Sequence, residues 1–370
     1  MSRSRTGAPT GLASAQPYLA VGLLLAWGCA SSPVLDSTGP SCVRTVLDPT
    51  PLWTAAAAWG SEGALYVVDP GLSGVLVFSA SGALERTIQH AALAQLDYKN
   101  PMRIERTGDS LILGDRNGFR TLEPGLSASS ADRADLADRL IPAGVKSLLL
   151  SDFALVDHGL VGYMDLKLEG EIWKRGFFRL DLTRAEVFSL LEFPLENREY
   201  ESYYYYDRRP YVAVARGEIF ILRLGEARGV FRVGRRGLKK VLDLDRFDGD
   251  PMGLFGWGGK LVLLSRKVAS GGQSIEWYLS RLDPRRPAAM ATLRVPVEAT
   301  RLVLAPGDEQ WAMIHESRNT DSRFNLGSGL LLVSSGALEE AWEKSMVTSG
   351  APVPIPGCPL PAPVHRTSQP

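Results

Sequence analysis

Short apolar runs begin at Leu65, Leu111, Leu160, Ile219, Leu261 and Gln310, at intervals of 42 to 59 residues. They are rich in Val, Ile, Leu, Phe or Tyr, and Gly, Asp, Pro or Ser often borders them, the pattern of strands between turns. The best-formed unit is GALYVVDPGLSGVLVFSASGALERTI, Gly63 to Ile88. It reads as strand, Asp-Pro-Gly turn, strand, Ser-Gly turn, strand, with a further strand ending near Trp59. A four-stranded antiparallel unit recurring every ~40–50 residues is the period of a propeller blade. One such sheet exposes two faces and cannot stand alone; radial stacking buries both. The spacing therefore predicts an all-β fold, a six-bladed β-propeller of four-stranded antiparallel blades over 52–347. A seven-bladed ring or a pair of β-sandwiches also accommodates short strands of this kind. Helical spacing is clearest at Asp132 to Leu140 (DRADLADRL), and the last unit ends on LLLVSSGALEEAW, whose SSGAL echoes the SASGAL of the first.

The first unit resembles the six-bladed propellers of the NHL and TolB-like type, and NPMRIERTGDSLILGDRNGFRTLE, Asn100 to Glu123, keeps the Pro, the strand and the Asp of that pattern. The resemblance implies a fold and carries no activity.

The N-terminus supplies an address. Arg3 and Arg5 precede an apolar stretch, Tyr18 to Trp27, that ends in Gly28-Cys29-Ala30. A basic start, a short apolar core and small residues are the parts of a secretory signal. The core is about half of the ~20 residues needed to span the hydrocarbon layer. LAWGC, Leu25 to Cys29, resembles the lipobox of bacterial lipoproteins. That resemblance implies cleavage before Cys29, acylation of Cys29 and attachment to a membrane, with Ala30 in place of an inner-membrane-retaining Asp pointing to the outer membrane. Ordinary cleavage after Ala30 is the competing reading. The expected organisation is a signal peptide over 1–28, a tether over 29–51, the propeller over 52–347 and a Pro-rich tail over 348–370.

Composition narrows function by exclusion. Lys plus Arg and Asp plus Glu number 41 each, so no global field draws the chain to nucleic acid. Three cysteines and four histidines supply no zinc-site spacing. Cys42 and Cys358 flank the predicted ring and could be joined across its closure in an oxidising compartment; two free thiols are the other possibility. Asp69, Asp115 and Asp165 stand at corresponding strand ends of three units. Six-bladed lactonase-type enzymes hold Ca²⁺ with such oxygen ligands, and turn capping explains the same residues. The patch EYESYYYYDRRPY places Tyr203, Tyr204, Tyr205 and Tyr206 beside Arg208 and Arg209, a composition suited to ligand or protein contact or to packing within a strand. No catalytic residues emerge. The expected function is a non-enzymatic binding or scaffold lipoprotein of the cell envelope, requiring no cofactor and holding a protein, peptide or glycan. A Ca²⁺-dependent propeller hydrolase or lactonase is the alternative.

Overall fold

The computed structural model describes residues within 42–358. Outside the described residues lie chiefly 1–41, 89–102, 123–143, 196–209, 269–274, 319–324 and 359–370, with several shorter turns. Cys29, the predicted Asp132–Leu140 helix and the Tyr203–Arg209 patch all fall in those segments.

The described strands form six sheets. Sheet I holds β2 (Ala56–Trp59), β3 (Leu65–Asp69), β4 (Gly74–Phe78) and β5 (Leu84–Ile88). Sheet II holds β6 (Arg103–Thr107), β7 (Ser110–Asp115) and β8 (Gly118–Leu122). Sheet III holds β9 (Val145–Val156), β10 (Gly159–Leu168), β11 (Trp173–Asp181) and β12 (Glu186–Phe193). Sheet IV holds β13 (Val212–Ala215), β14 (Glu218–Arg223), β15 (Gly229–Gly234) and β16 (Gly237–Asp243). Sheet V holds β17 (Asp250–Trp257), β18 (Lys260–Val268), β19 (Ile275–Asp283), β20 (Arg286–Val295) and β24 (Val353–Pro354). Sheet VI holds β21 (Arg301–Ala305), β22 (Gln310–Arg318), β23 (Asn325–Ser334) and, from the other end of the chain, β1 (Cys42–Val46).

Apolar cores lock each sheet to the next. Val68, Ile104 and Leu113 pack between sheets I and II. Ile112, Phe153 and Leu160 pack between II and III. A larger cluster, including Tyr163, Phe220 and Leu254, joins III, IV and V. Trp277, Leu304 and Trp311 join V and VI, and Trp59, Leu65 and Ile314 return from VI to I. The circle is closed, and the fold is an all-β propeller.

The expectation of six four-stranded antiparallel blades is met in full by only five sheets. Sheet II has three strands among the described residues. Sheet V has a fifth strand, since β24 joins β20 in parallel at Leu293 and Val353. The six recurring runs seen in the sequence each fall in the second strand of a sheet.

The boundaries differ from those expected. The lead-in contributes β1, whose Cys42 to Val46 pair with Val333 to Gly329 of β23. The last unit ends in a helix, α1 (Ser335–Val347). Ser334 caps it by accepting the Ala337 N–H at 3.1 Å, and Leu338, Ala341, Trp342 and Ser345 form one fully buried stripe. Ser345 Oγ donates to the Thr292 carbonyl at 3.0 Å and accepts the Thr292 N–H at 3.1 Å, seating α1 on β20. Cys42 and Cys358 form a disulfide with Cα atoms 5.2 Å apart, joining β1 to the segment beyond β24.

Candidate functional site

The inner strands β2, β6, β9, β13, β17 and β21 are each the edge strand of their sheet. One edge pairs outward and the other faces the propeller axis, leaving backbone polar groups outside the sheet ladders. A cavity of about 390 Å³ lies between these axial edges and is lined by residues of all six strands. Small side chains keep it open: Ala57 and Ala58 of β2, Ala154 of β9, Ala213 of β13 and Gly256 of β17. A Cβ on Gly256 would lie 1.8 Å from the Val214 carbonyl oxygen, so only glycine permits this approach of β17 to β13.

One charge cluster sits on this axis. Arg103 and Glu105 share a face of β6, while Ile104 between them turns into the core of sheets I and II. Arg103 Nη2 donates to Glu105 Oε1 at 2.5 Å, and its Nε lies 3.0 Å from Asp152 Oδ1 on β9. Asp152 is fully buried, and its Oδ2 accepts the N–H groups of Tyr211 (2.6 Å) and Val212 (2.9 Å). Sheets II, III and IV are thereby tied at the axis. Glu316 does the same between sheets VI and I, accepting the Thr54 N–H at 2.7 Å.

Burial pushes the Glu105 carboxyl above its ordinary range; Arg103 opposes this and the Asp152 charge adds to it. Burial likewise raises Asp152, against Arg103 and the N–H groups of Tyr211, Val212 and Phe153. Burial on its own would lower Arg103, but Glu105 and Asp152 reverse this and hold the guanidinium charged.

The segment after β21 frames the cavity through Pro306, Gly307 and Asp308. Two indoles hold it: Trp59 Nε1 donates to the Ala305 carbonyl at 3.0 Å, and Trp257 Nε1 donates to the Gly307 carbonyl at 3.1 Å. Asp308 stands 3.9 Å from Arg106 in an exposed pair of little energetic weight. A smaller cavity of about 40 Å³ adjoins Arg103 on β6 and Arg301 to Leu304 on β21.

The residues singled out from the sequence are distributed differently. Asp69 is buried at the end of β3, in sheet I. Asp115 ends β7, and its side chain lies outside the described residues. Asp165 sits in β10 of sheet III, where Arg175 Nε and Nη2 donate to its two oxygens at 2.9 and 2.8 Å. Neither Asp69 nor Asp165 lines the axial cavity. Among the described residues no group of three His, Cys, Asp or Glu side chains could hold a metal ion. Tyr211, at the described end of the tyrosine patch, is fully buried. The cavity charges Arg103, Glu105, Arg106 and Asp308, and Asp152 buried behind Arg103, were missed. A signal for two of them was present in RIERT, where a strand puts two opposite charges on one face with Ile between them.

Fold and site together define a propeller with a charged axial cavity. No family model matches the chain, and no curated protein matches it. Among solved structures the chain is similar to a gluconolactonase from Xanthomonas campestris, at 12% identity and a TM-score of 0.49, covering 79% of this chain and 90% of that one. It is similar to the calcium-binding protein regucalcin from Agrobacterium tumefaciens, at 10% identity and a TM-score of 0.44, covering 79% and 94%. It is similar also to virginiamycin B lyase from Staphylococcus aureus, at 8% identity and a TM-score of 0.44, covering 79% and 99%. No residue role passes from these proteins to this chain.

Proposed function

We propose that this protein is an exported, lipid-anchored propeller of the cell envelope that binds a small molecule in its axial cavity. The observation that carries the binding role is the cavity itself: about 390 Å³, reached by all six inner strands and backed by the Arg103 cluster. That volume falls within the ~300–1,000 Å³ of small-molecule sites. It suits a compact ligand better than the peptide, protein or glycan partner expected of a propeller face. The anchor rests on LAWGC at Leu25 to Cys29. Mass spectrometry of the mature chain should find it beginning at Cys29 with acyl groups attached; an unmodified start at Ser31 removes the anchor. A thermal-shift screen of small molecules tests the binding role, with cavity-filling Ala58→Leu expected to abolish each hit.

A second reading, a hydrolase of lactonase type, is favoured by Glu105, whose carboxyl lines the cavity with its pKa raised above the ordinary value, burial being the largest cause. Such a group suits proton donation to a leaving oxygen. Calcium does not fit the described donors. Asp152 is engaged by Arg103, Tyr211 and Val212, and Asp165 by Arg175. Turnover of a lactone panel by the wild type, lost in Glu105→Gln, would establish the enzyme.

A further inference from the structure

The charges around the axis do not balance. Among the described residues, Arg103 faces both Glu105 and Asp152. Asp152 is satisfied on its own side by Tyr211 and Val212, and the exposed Arg106 and Asp308 offset each other at 3.9 Å. Arg301 lines the adjoining smaller cavity and stands opposite the buried Glu316 in the ladder of β21 and β22. Three guanidinium groups thus meet four carboxylates. The excess falls at Glu105, whose side chain shares its guanidinium with Asp152 and keeps 30% exposure. The lining around it includes two aromatic side chains, Trp59 and Phe255. Aromatic rings attract cations through their negative faces, and an anion entering here would add to the existing excess.

We infer that the axial cavity takes a small organic cation, an amine or a guanidine, with Glu105 as its anionic anchor. This rests on the cavity being the binding site, and it names the ligand class. A cationic group beside Glu105 would bring the cluster to two cations and two carboxylates. The small alanines leave it room, and axial backbone carbonyls offer acceptors for its remaining N–H groups.

Thermal-shift and calorimetric titrations of the mature chain test this with putrescine and agmatine as cationic probes, gluconate and inorganic phosphate as anionic ones, and sorbitol as a neutral one. The amines are expected to raise the Tm of the wild type. Glu105→Gln is expected to weaken their binding at least about tenfold, the scale of one lost charge-assisted contact. Ala58→Leu, or Ala154→Leu should the first not fold, is expected to abolish binding. Stabilisation by gluconate or phosphate in place of the amines, or no response to either amine, overturns the inference and leaves the cavity open to another ligand. Amine affinity unchanged by Glu105→Gln but lost with the filled cavity overturns Glu105 as the anchor. Amine binding that survives the filled cavity overturns the inference and the cavity reading together.

Discussion

Glu105 and Asp152 flank one guanidinium but answer to different surroundings. Asp152 is fully enclosed and accepts two backbone N–H groups, so it belongs to the scaffold. Removing it would leave Arg103 beside one carboxylate and strand the Tyr211 and Val212 N–H groups. Asp152→Ala is therefore expected to lose about 3–5 kcal/mol of stability in urea unfolding, the cost of breaking a buried pair. Asp152→Asn should lose less, because its amide oxygen can still accept. An unchanged unfolding midpoint in Asp152→Ala would contradict the axial tie. Glu105 carries excess charge, and its sign with pH is the reverse of the usual carboxylate. Its pKa in the folded chain lies above the ordinary 4.5. The folded state then holds its proton more tightly than the unfolded state, and stability falls as pH rises through that interval. Asp181, Asp243 and Asp283 have lowered pKa values and act oppositely, losing stability as pH falls. The difference between Glu105→Gln and wild type isolates the one residue: the variant should gain on wild type as pH rises from about 4 to neutral. A difference independent of pH would show that Glu105 is not perturbed. The pair Arg103 and Glu105 was legible as like-facing charges on a strand. Asp152 was not, because 49 residues separate it from Arg103 and only ring closure brings them together.

The strands were legible as elements because turn residues punctuate them and β-branched or large apolar residues fill them. The second strands were read to within a residue at their starts. Three elements escaped for separate physical reasons. The strand β1 is only five residues, CVRTV, and its partner β23 is remote in sequence. The strand β24 is two residues long and contains a proline. The helix α1 was hidden by a local repeat, since SSGAL matches SASGAL of the first unit although Leu338, Ala341, Trp342 and Ser345 follow helical spacing. Position along a helix, more than motif similarity, decides what it buries. Trp342 is fully buried, its Nε1 donates to the Leu279 carbonyl at 3.3 Å, and its ring lies among those of Trp257 and Trp311. Trp342→Ala should lose about 3–5 kcal/mol through the cavity it leaves. Lys344→Ala, which removes an exposed pair with Glu340, should cost about 0.3–0.5 kcal/mol. Chemical unfolding of the two variants side by side makes the comparison, and equal midpoints would mean that α1 is not part of the cooperative core.

At the scale of the whole molecule the decisive event is closure, because a circular stack leaves its first and last sheets exposed until they meet. Two devices meet that need. The first is non-covalent: β1 from the front of the chain completes sheet VI, and sheet VI packs on sheet I through Trp59, Leu65 and Ile314. The second is covalent: the disulfide joins Cys42 on β1 to Cys358, residues 316 apart in sequence. Both cysteines lie in the core shared by sheets V and VI with α1 and Ile355, so the bond secures the two chain ends to one place. In the chain-entropy model a loop of that length is worth about 5–6 kcal/mol, an upper figure, and loss of a native bridge more commonly costs about 2–5 kcal/mol. Since the ladder between β1 and β23 needs no cysteine, Cys42→Ser/Cys358→Ser should still close its ring, with native circular dichroism and a lowered Tm. Reductant should bring the wild type down to the Tm of the double variant and leave the variant where it was. If the double variant failed to fold, the non-covalent closure would be insufficient alone. If reduced and oxidised wild type melted together, the bridge would contribute nothing and the ladder would carry closure by itself.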